Sequence, residues 1–570
     1  MFYNTMKLTK FMLAREKITS TAWVLSMVLL NFLIVVLMGV SLMPYEADRL
    51  EFLSMLENPA MLAMVGPLYN METSSMGAIY TLMMLVFMGI TVAIMNVFLI
   101  MRHTRTDEEA GRYEVLRSLP CGRLAPVNAA MVTAVIVNAI MTVLFAITMF
   151  VGMHMAGEPM GFGAALLWGV TLGAIGITFA GIAALFSQLS SNSRGAMGYA
   201  FLLLGLFYFL RAGADMNPDD MGVLAFFSPL GLMSRTWAYV HNYWWPVLAI
   251  LAYGAVFTGL AYFTCSIRDI DQGIIPARPG RAHGNWLLKS SFGLKMRLMG
   301  LSIFVWVLVL FITGLSYSTV LQDVDNFVAG NDMYRQMILA PTGLLDQIVI
   351  DDMPTEEIAA QMNMVLGAAG FNIVQMFANM IGFVMAMIAT VPVLLFVLKS
   401  KSEEKAIRAE LIVATATSKI GYLGGFVLIA FVSAVIIQLA QAFGLYSMAS
   451  QALPNPDDLP LRFLIESALV YVPAMWIMGG IAVLLVGLLP KRTGLIWAYY
   501  GFTFFIMLYG RMIPELEFLA RATPFGWVPQ LPMDTISWPT LIVMTIIGAA
   551  LTAIGLVAYR RRDINAITSK

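Results

Sequence analysis

Two short stretches hold the densest charge in this chain. In "RTDEEAGRYEVL" (residues 105–116), Arg105, Asp107, Glu108, Glu109, Arg112 and Glu114 crowd together, and "KSEEKAIRAELI" (401–412) repeats the pattern with Glu403, Glu404, Arg408 and Glu410. Acids and bases at these spacings do ion-pair chemistry, either along one helix or toward another protein. Thr106 is placed to cap a helix, with Glu109 three residues on to complete a capping box. Asp107 and Glu108 then fall in the first turn, where the helix dipole favours acids. Glu108–Arg112 and Glu404–Arg408 are i,i+4 pairs, and Pro120 limits the first helix at about Leu119. The second copy keeps Ser402 as a cap but has Lys405 where the box needs an acid.

A solvated connector helix would account for one such stretch. Exposed i,i+4 pairs contribute only about 0.3–0.5 kcal/mol, too little to require the same residues twice. A docking partner common to both stretches is the stronger reading.

The elements that position them are membrane helices. Of 570 residues, 59% are hydrophobic and only 12% charged, about half of what a soluble chain carries. Twelve windows reach the roughly 20 apolar residues a bilayer core requires. They lie near 22–43, 77–101, 127–153, 164–187, 196–212, 246–264, 299–316, 372–398, 421–446, 464–489, 494–512 and 540–559, those at 196–212 and 299–316 being short. The first is a full span without a cleavage site and is expected to stay as an anchor.

The net charge of zero conceals sidedness. Lys7, Lys10, Arg15 and Lys17 precede the first span; Arg102, Arg105, Arg112, Arg117 and Arg123 follow the second; Arg560, Arg561 and Arg562 end the last. Residues 44–75 and 317–365 on the other side are acidic. The positive-inside rule puts both termini in the cytoplasm and requires an even number of spans. Cys121 and Cys265 then face a reducing compartment, where a disulfide is not expected.

The charged stretches are one part of a longer internal repeat. Arg105-Thr106-Asp107-Glu108 overlies Lys401-Ser402-Glu403-Glu404, "SPLG" (228–231) overlies "TPFG" (523–526), and Arg268-Asp269-Ile270 overlies Arg562-Asp563-Ile564. The spacing stays close to 296 residues, so a six-span unit is duplicated. Six being even, both copies share one orientation. The expected fold is an all-α polytopic membrane protein of about twelve spans in two parallel six-helix repeats. Residues 1–270 form the first domain, 271–286 a Pro- and Gly-containing linker, and 287–570 the second. "KLTKFMLAREK" (from residue 7) and "LLKSSFGLKMR" (from 287) are either helices in the headgroup layer or plain basic flanks.

The segment "RHTRTDEEAGRYEVLRSLPCGR" (102–123), with "ENPAMLAMVGP" (57–67), "FLRAGAD" (209–215), "SPLG" and "RDIDQGIIPARPGRA" (268–282), resembles ABC exporter permeases of the polyketide-antibiotic (tetronasin) type. The resemblance implies two fused transmembrane domains in a bacterial plasma membrane, exporting small amphipathic compounds such as antibiotics. It also implies a separate ATPase, in two copies, docking on two coupling helices. ATP and Mg would bind that partner and no cofactor this chain; no nucleic acid is involved. The second half departs from the pattern, with Ile407 in place of Gly111 and "TATSK" in place of "SLPCGR". Independently, no Gly-Lys dipeptide occurs, so a Walker A site is absent and this chain is expected to be a transport subunit and not an enzyme.

Two other functions are weaker fits. A secondary transporter of the major-facilitator kind needs ionisable residues inside its spans, and these spans hold almost none. An integral-membrane transferase needs cytoplasmic acidic clusters for a metal, whereas Asp351-Asp352 and Asp457-Asp458 are external and read as solvated loops.

Further candidates carry two readings each. Arg211 and Arg511, each four residues before an acid (Asp215, Glu515), are snorkelling interface residues or a paired outer gate. Asn372, Gln375 and Asn379, on one helix face, glue helices or line a substrate path. Asn31, Asn96, Asn138 and Gln438 are expected at helix–helix contacts. The 44 methionines are scattered through every span and reflect composition.

Overall fold

The computed structural model describes residues 1–42, 75–158, 161–216, 221–269, 272–275, 283–284, 286–318, 324–329, 354–453, 458–509 and 514–563, with isolated positions between them. Helix is the regular structure throughout, with no strand among the described residues. Lipid supplies no hydrogen bonds, so a spanning segment has to satisfy its backbone internally.

The chain divides into two compact units, Met1–Gly280 and Arg281–Lys570. The first contains α1 (Thr5–Leu37), α2 (Met76–His103), two short helices α3 (Arg105–Glu109) and α4 (Arg112–Ser118), then α5 (Ala125–Met155), α6 (Phe162–Leu189), α7 (Ser193–Met216), α8 (Pro229–Ser234) and α9 (Trp245–Ile267). The second contains α10 (Ser291–Ser318), α11 (Val324–Ala329), α12 (Thr355–Ala368), α13 (Ile373–Lys405), α14 (Arg408–Val413), α15 (Lys419–Ala452), α16 (Leu461–Leu469), α17 (Val472–Leu488), α18 (Leu495–Tyr509) and α19 (Trp538–Arg561).

Eleven helical segments among the described residues are long and apolar enough to cross a membrane. The two windows expected to be short, 196–212 and 299–316, belong to helices of 24 and 28 residues, because Ser, Gly and Arg at their ends lower hydropathy without ending the helix. The described part of window 494–512 is α18, whose 15 residues rise about 22 Å.

Neither basic flank forms a separate interfacial helix. Residues 7–17 are the first turns of the continuous 33-residue α1, and a single 3₁₀ turn, Trp286–Lys289, precedes α10.

In the first unit one helix, α6, sits at the centre, packed on α2, α5 and α9. Small residues set how closely helices approach in lipid: a Cβ on Gly169 would lie 2.6 Å from the Thr142 carbonyl oxygen of α5. Buried amides lock the same bundle. Asn96 and Asn138 exchange hydrogen bonds of 3.1 and 2.6 Å across α2 and α5, and Tyr80 donates to Asn31 Oδ1 at 2.7 Å. In the second unit Gln438 donates to the Ala468 carbonyl at 3.1 Å. These four residues are helix–helix contacts, as their isolation in apolar runs suggested.

Candidate functional site

The first charged stretch turns over where α2 ends. Thr104 leaves helical geometry, Gly111 takes the left-handed region at φ 70°, and Leu119, before Pro120, is extended and closes α4. Gly is suited to that left-handed position. The result is two short helices meeting at an exposed apex.

Thr106 lies inside α3 and is not its cap, so the expected capping box does not form. Glu109 reaches a different helix: its carboxylate accepts from the Ser193 backbone N–H and Oγ, both at 2.6 Å. It therefore caps α7, where the positive end of the helix dipole favours an anion.

The i,i+4 pairs do not form either. Glu108 accepts two hydrogen bonds from Arg268, 160 residues away, at 2.7 and 2.6 Å, and lies 3.0 Å from Arg105. Asp107 pairs with Arg112, five residues on, and with Arg15 of α1 at 2.6 and 3.0 Å. Arg105 donates to the Ser191 carbonyl at 2.6 Å. Beside them Glu16 of α1 meets Arg102 and His103 at 3.1 and 3.2 Å. Arg105, Asp107 and Glu108 are all buried.

Local adjacency loses here because Arg112 is taken by Asp107, while Arg268 reaches both oxygens of Glu108 with its two-donor fork. Burial opposes the charge on Arg268, but its hydrogen bonds to Glu108 and the carboxylate's charge outweigh it and raise its pKa above the ordinary arginine value.

The second stretch repeats this arrangement. Glu404 accepts from Arg562 and from the Tyr559 hydroxyl, each at 2.6 Å. Arg408 donates to Glu403 at 2.6 and 3.1 Å, again five residues apart instead of the expected four-residue pair with Glu404. Lys419 donates to the Arg562 carbonyl at 2.8 Å, just as Arg123 donates to the Arg268 carbonyl at 2.6 Å. Each half thus has the same latch, tying the connector after its second span to the end of its last span. Ser402 is not a cap, since α13 runs through it to Lys405.

Burial separates the charged residues into two sets. Arg105, Asp107, Glu108, Glu403 and Glu404 face inward within their own halves. Arg112, Glu114 and Arg408 are exposed, as is Glu109 despite its bond to α7, and Glu410 is half-buried. The apices also expose apolar side chains that charge patterning did not single out: Val115 (66%) and Leu119 in the first, Ile407 and Leu411 (74%) in the second. A hydrophobic residue amid charges at the turn was the available signal.

Elsewhere, Arg211 is fully buried and does not snorkel to the interface. It lies 3.5 Å from Asp215, which also pairs with Arg235 at 2.7 Å, a partner not visible in the i,i+4 pattern. Arg511 and the side chain of Glu515 lie outside the described residues, as do Asp351, Asp352 and Asp457. Asn372 caps α13, accepting from the Val374 and Gln375 backbone. Gln375 donates to the Asp458 carbonyl at 3.0 Å, and Asn379 accepts from Ser467 at 2.7 Å. All three bond to neighbouring elements of the second unit. Neither cysteine forms a disulfide, and no cluster of potential metal ligands occurs among the described residues.

A family described as the C-terminal domain of the multidrug efflux system permease Rv1217c matches residues 288–351 and 349–560. The multidrug efflux system permease protein Rv1217c of Mycobacterium tuberculosis (strain ATCC 25618 / H37Rv) is 27% identical over 573 residues, covering 99% of this chain and 96% of that protein. Likeness along both whole chains, together with eleven apolar spans, supports a transport permease role in a multi-pass membrane protein of bacterial type. It carries no support for the narrower tetronasin-type assignment.

Proposed function

We propose that this chain is the transmembrane subunit of an ATP-binding-cassette exporter, moving amphipathic or hydrophobic compounds, antibiotics among them, out of the cell. A separate ATPase, in two copies, docks on the two connector apices and supplies ATP and Mg. The observation that carries this reading is the duplicated latch. Glu108–Arg268 and Glu404–Arg562 tie each connector to the end of a membrane span, so a push on either apex is passed to that span and not absorbed by a loose loop. The full-length likeness to a multidrug efflux permease supports the transport part of the reading.

Tagged protein purified from its native membrane is expected to bring an ATPase with it, and vanadate to stop transport. Val115→Asp combined with Leu411→Asp places charge on both exposed apices and is expected to abolish that co-purification while leaving membrane insertion intact. A fully active transporter isolated without any ATPase would overturn the proposal.

A further inference from the structure

Across the twelve apolar windows the one carboxylate is Glu466; the longer helix around the fifth window adds Asp215, which is already paired with Arg211 and Arg235. An ionisable side chain at membrane depth is costly and marks a functional position more often than a structural one. Glu466 lines a cleft of about 520 Å³ in the second unit, otherwise walled by apolar side chains, two indoles, Trp476 and Trp538, and Thr545, whose hydroxyl is spent on the Leu541 carbonyl.

The cleft exists because a helix breaks. In the first unit α6 runs unbroken for 28 residues and stays against α9, with Thr178 donating to the Ile250 carbonyl at 2.8 Å. In the second unit α16 and α17 are separated at Val470 and Tyr471, and Pro473 cannot supply the next backbone donor. Helices α17 and α19 stay in close contact at Gly480 and Gly548 and again at Gly487 and Gly555. They separate toward their N-terminal ends, where Trp538 and Ile542 of α19 face Glu466 and Pro473. By the orientation read from Lys and Arg, those ends lie on the outer side.

The walls are held in place. Trp476 donates from Nε1 to the Phe431 carbonyl at 3.1 Å and stacks on that ring at 5.7 Å. Glu466 is only partly covered and pairs with Arg462 at 2.7 Å, but the Arg462 side chain is 87% exposed and stands outside the cleft. It can turn to the headgroup layer without disturbing the wall. An apolar volume in the usual ligand range, with one carboxylate and two indole faces, is complementary to an apolar body carrying a single positive charge.

We infer that this cleft binds an amphipathic cation, an apolar molecule with one delocalised or quaternary charge, in the outer half of the membrane. As a substrate subsite it rests on the exporter reading above; as a binding site it is testable without it.

The test uses the full chain in lipid nanodiscs, without ATP, and equilibrium binding of tetraphenylphosphonium compared with tetraphenylborate, its anionic counterpart. Glu466→Gln keeps the shape and removes the charge. It is expected to weaken cation binding about tenfold, some 1.4 kcal/mol, with Glu466→Asp restoring part of the loss. Ile542→Trp, which fills the cleft from an exposed position, is expected to abolish binding in a protein whose thermal unfolding is unchanged. Equal cation affinity in the wild type and Glu466→Gln overturns the inference. So does preference for the anion, or a co-purified phospholipid that the cation does not displace and that Ile542→Trp removes. Loss of the ATPase partnership with Glu466-dependent binding intact would count only against the exporter reading; the reverse would count only against this site.

Discussion

The two connectors share their anchors and differ at their tips. In both, an acid accepts from the arginine that follows the last span, and a second acid takes the arginine five residues on. At the tips, Gly111 occupies the left-handed turn in the first half and Ile407 in the second, at φ 70° and 61°. Among the described residues only the first connector caps a neighbouring helix, because its Glu109 is matched by Lys405. Duplication has kept what holds each connector to its bundle and released what each shows to the outside. A β-branched residue in the left-handed region is strained, and Ile407 holds that strain at an exposed apex.

The largest effect should come from the anchors. Removing one member of a buried ion pair leaves its partner uncompensated, at a cost of about 3–5 kcal/mol. Glu108→Ala and Glu404→Ala are each expected to lower the thermal unfolding midpoint by similar amounts, read by fluorescence in detergent. A silent substitution in either half would break the equivalence of the latches.

A smaller effect tests the asymmetry. Glu109→Ala removes the cap on α7 and is expected to lose about 1 kcal/mol, whereas Lys405→Ala is expected to leave the unfolding midpoint unchanged. Amide exchange at Ser193 to Ala196 should rise in the first variant alone.

The smallest change in stability, about 0.5 kcal/mol, is expected from Ile407→Gly, and in the opposite direction. It relieves the left-handed strain and raises the unfolding midpoint, yet it strips the apex of its apolar side chain and should weaken ATPase co-purification. A stabilised protein with unaltered partner binding would show that Ile407 is a tolerated accident of duplication.

Much of this was open to reading in one dimension. Hydropathy marked the helices, because a span in lipid has to be both long and apolar, and the near-constant spacing paired Arg268 with Arg562 as it paired Glu108 with Glu404. What it did not disclose is that these four residues bind one another. The i,i+4 rule ranks neighbours on one helix, and it was applied to residues whose real competitors lay about 160 positions away. A basic residue recurring at the same interval as the acids was the clue, and it needed to be read as a partner and not only as a marker of the cytoplasmic side. For Arg211 the sequence left two readings open, an interface residue or one paired with Asp215, and it did not show that Arg235 joins Asp215 beside it.

Composition by itself determined that this chain lives in a membrane, since that follows from transfer of side chains to lipid, and charge and spacing gave the expectation of sidedness and of a duplicated unit. The tertiary structure decided which charges are internal and which are exposed. It also decided that one helix of the second half breaks at Val470 and opens a cleft around Glu466. Both depend on distances between segments far apart in the chain, and those distances are set by the packing of glycine-lined helices and not by any local pattern.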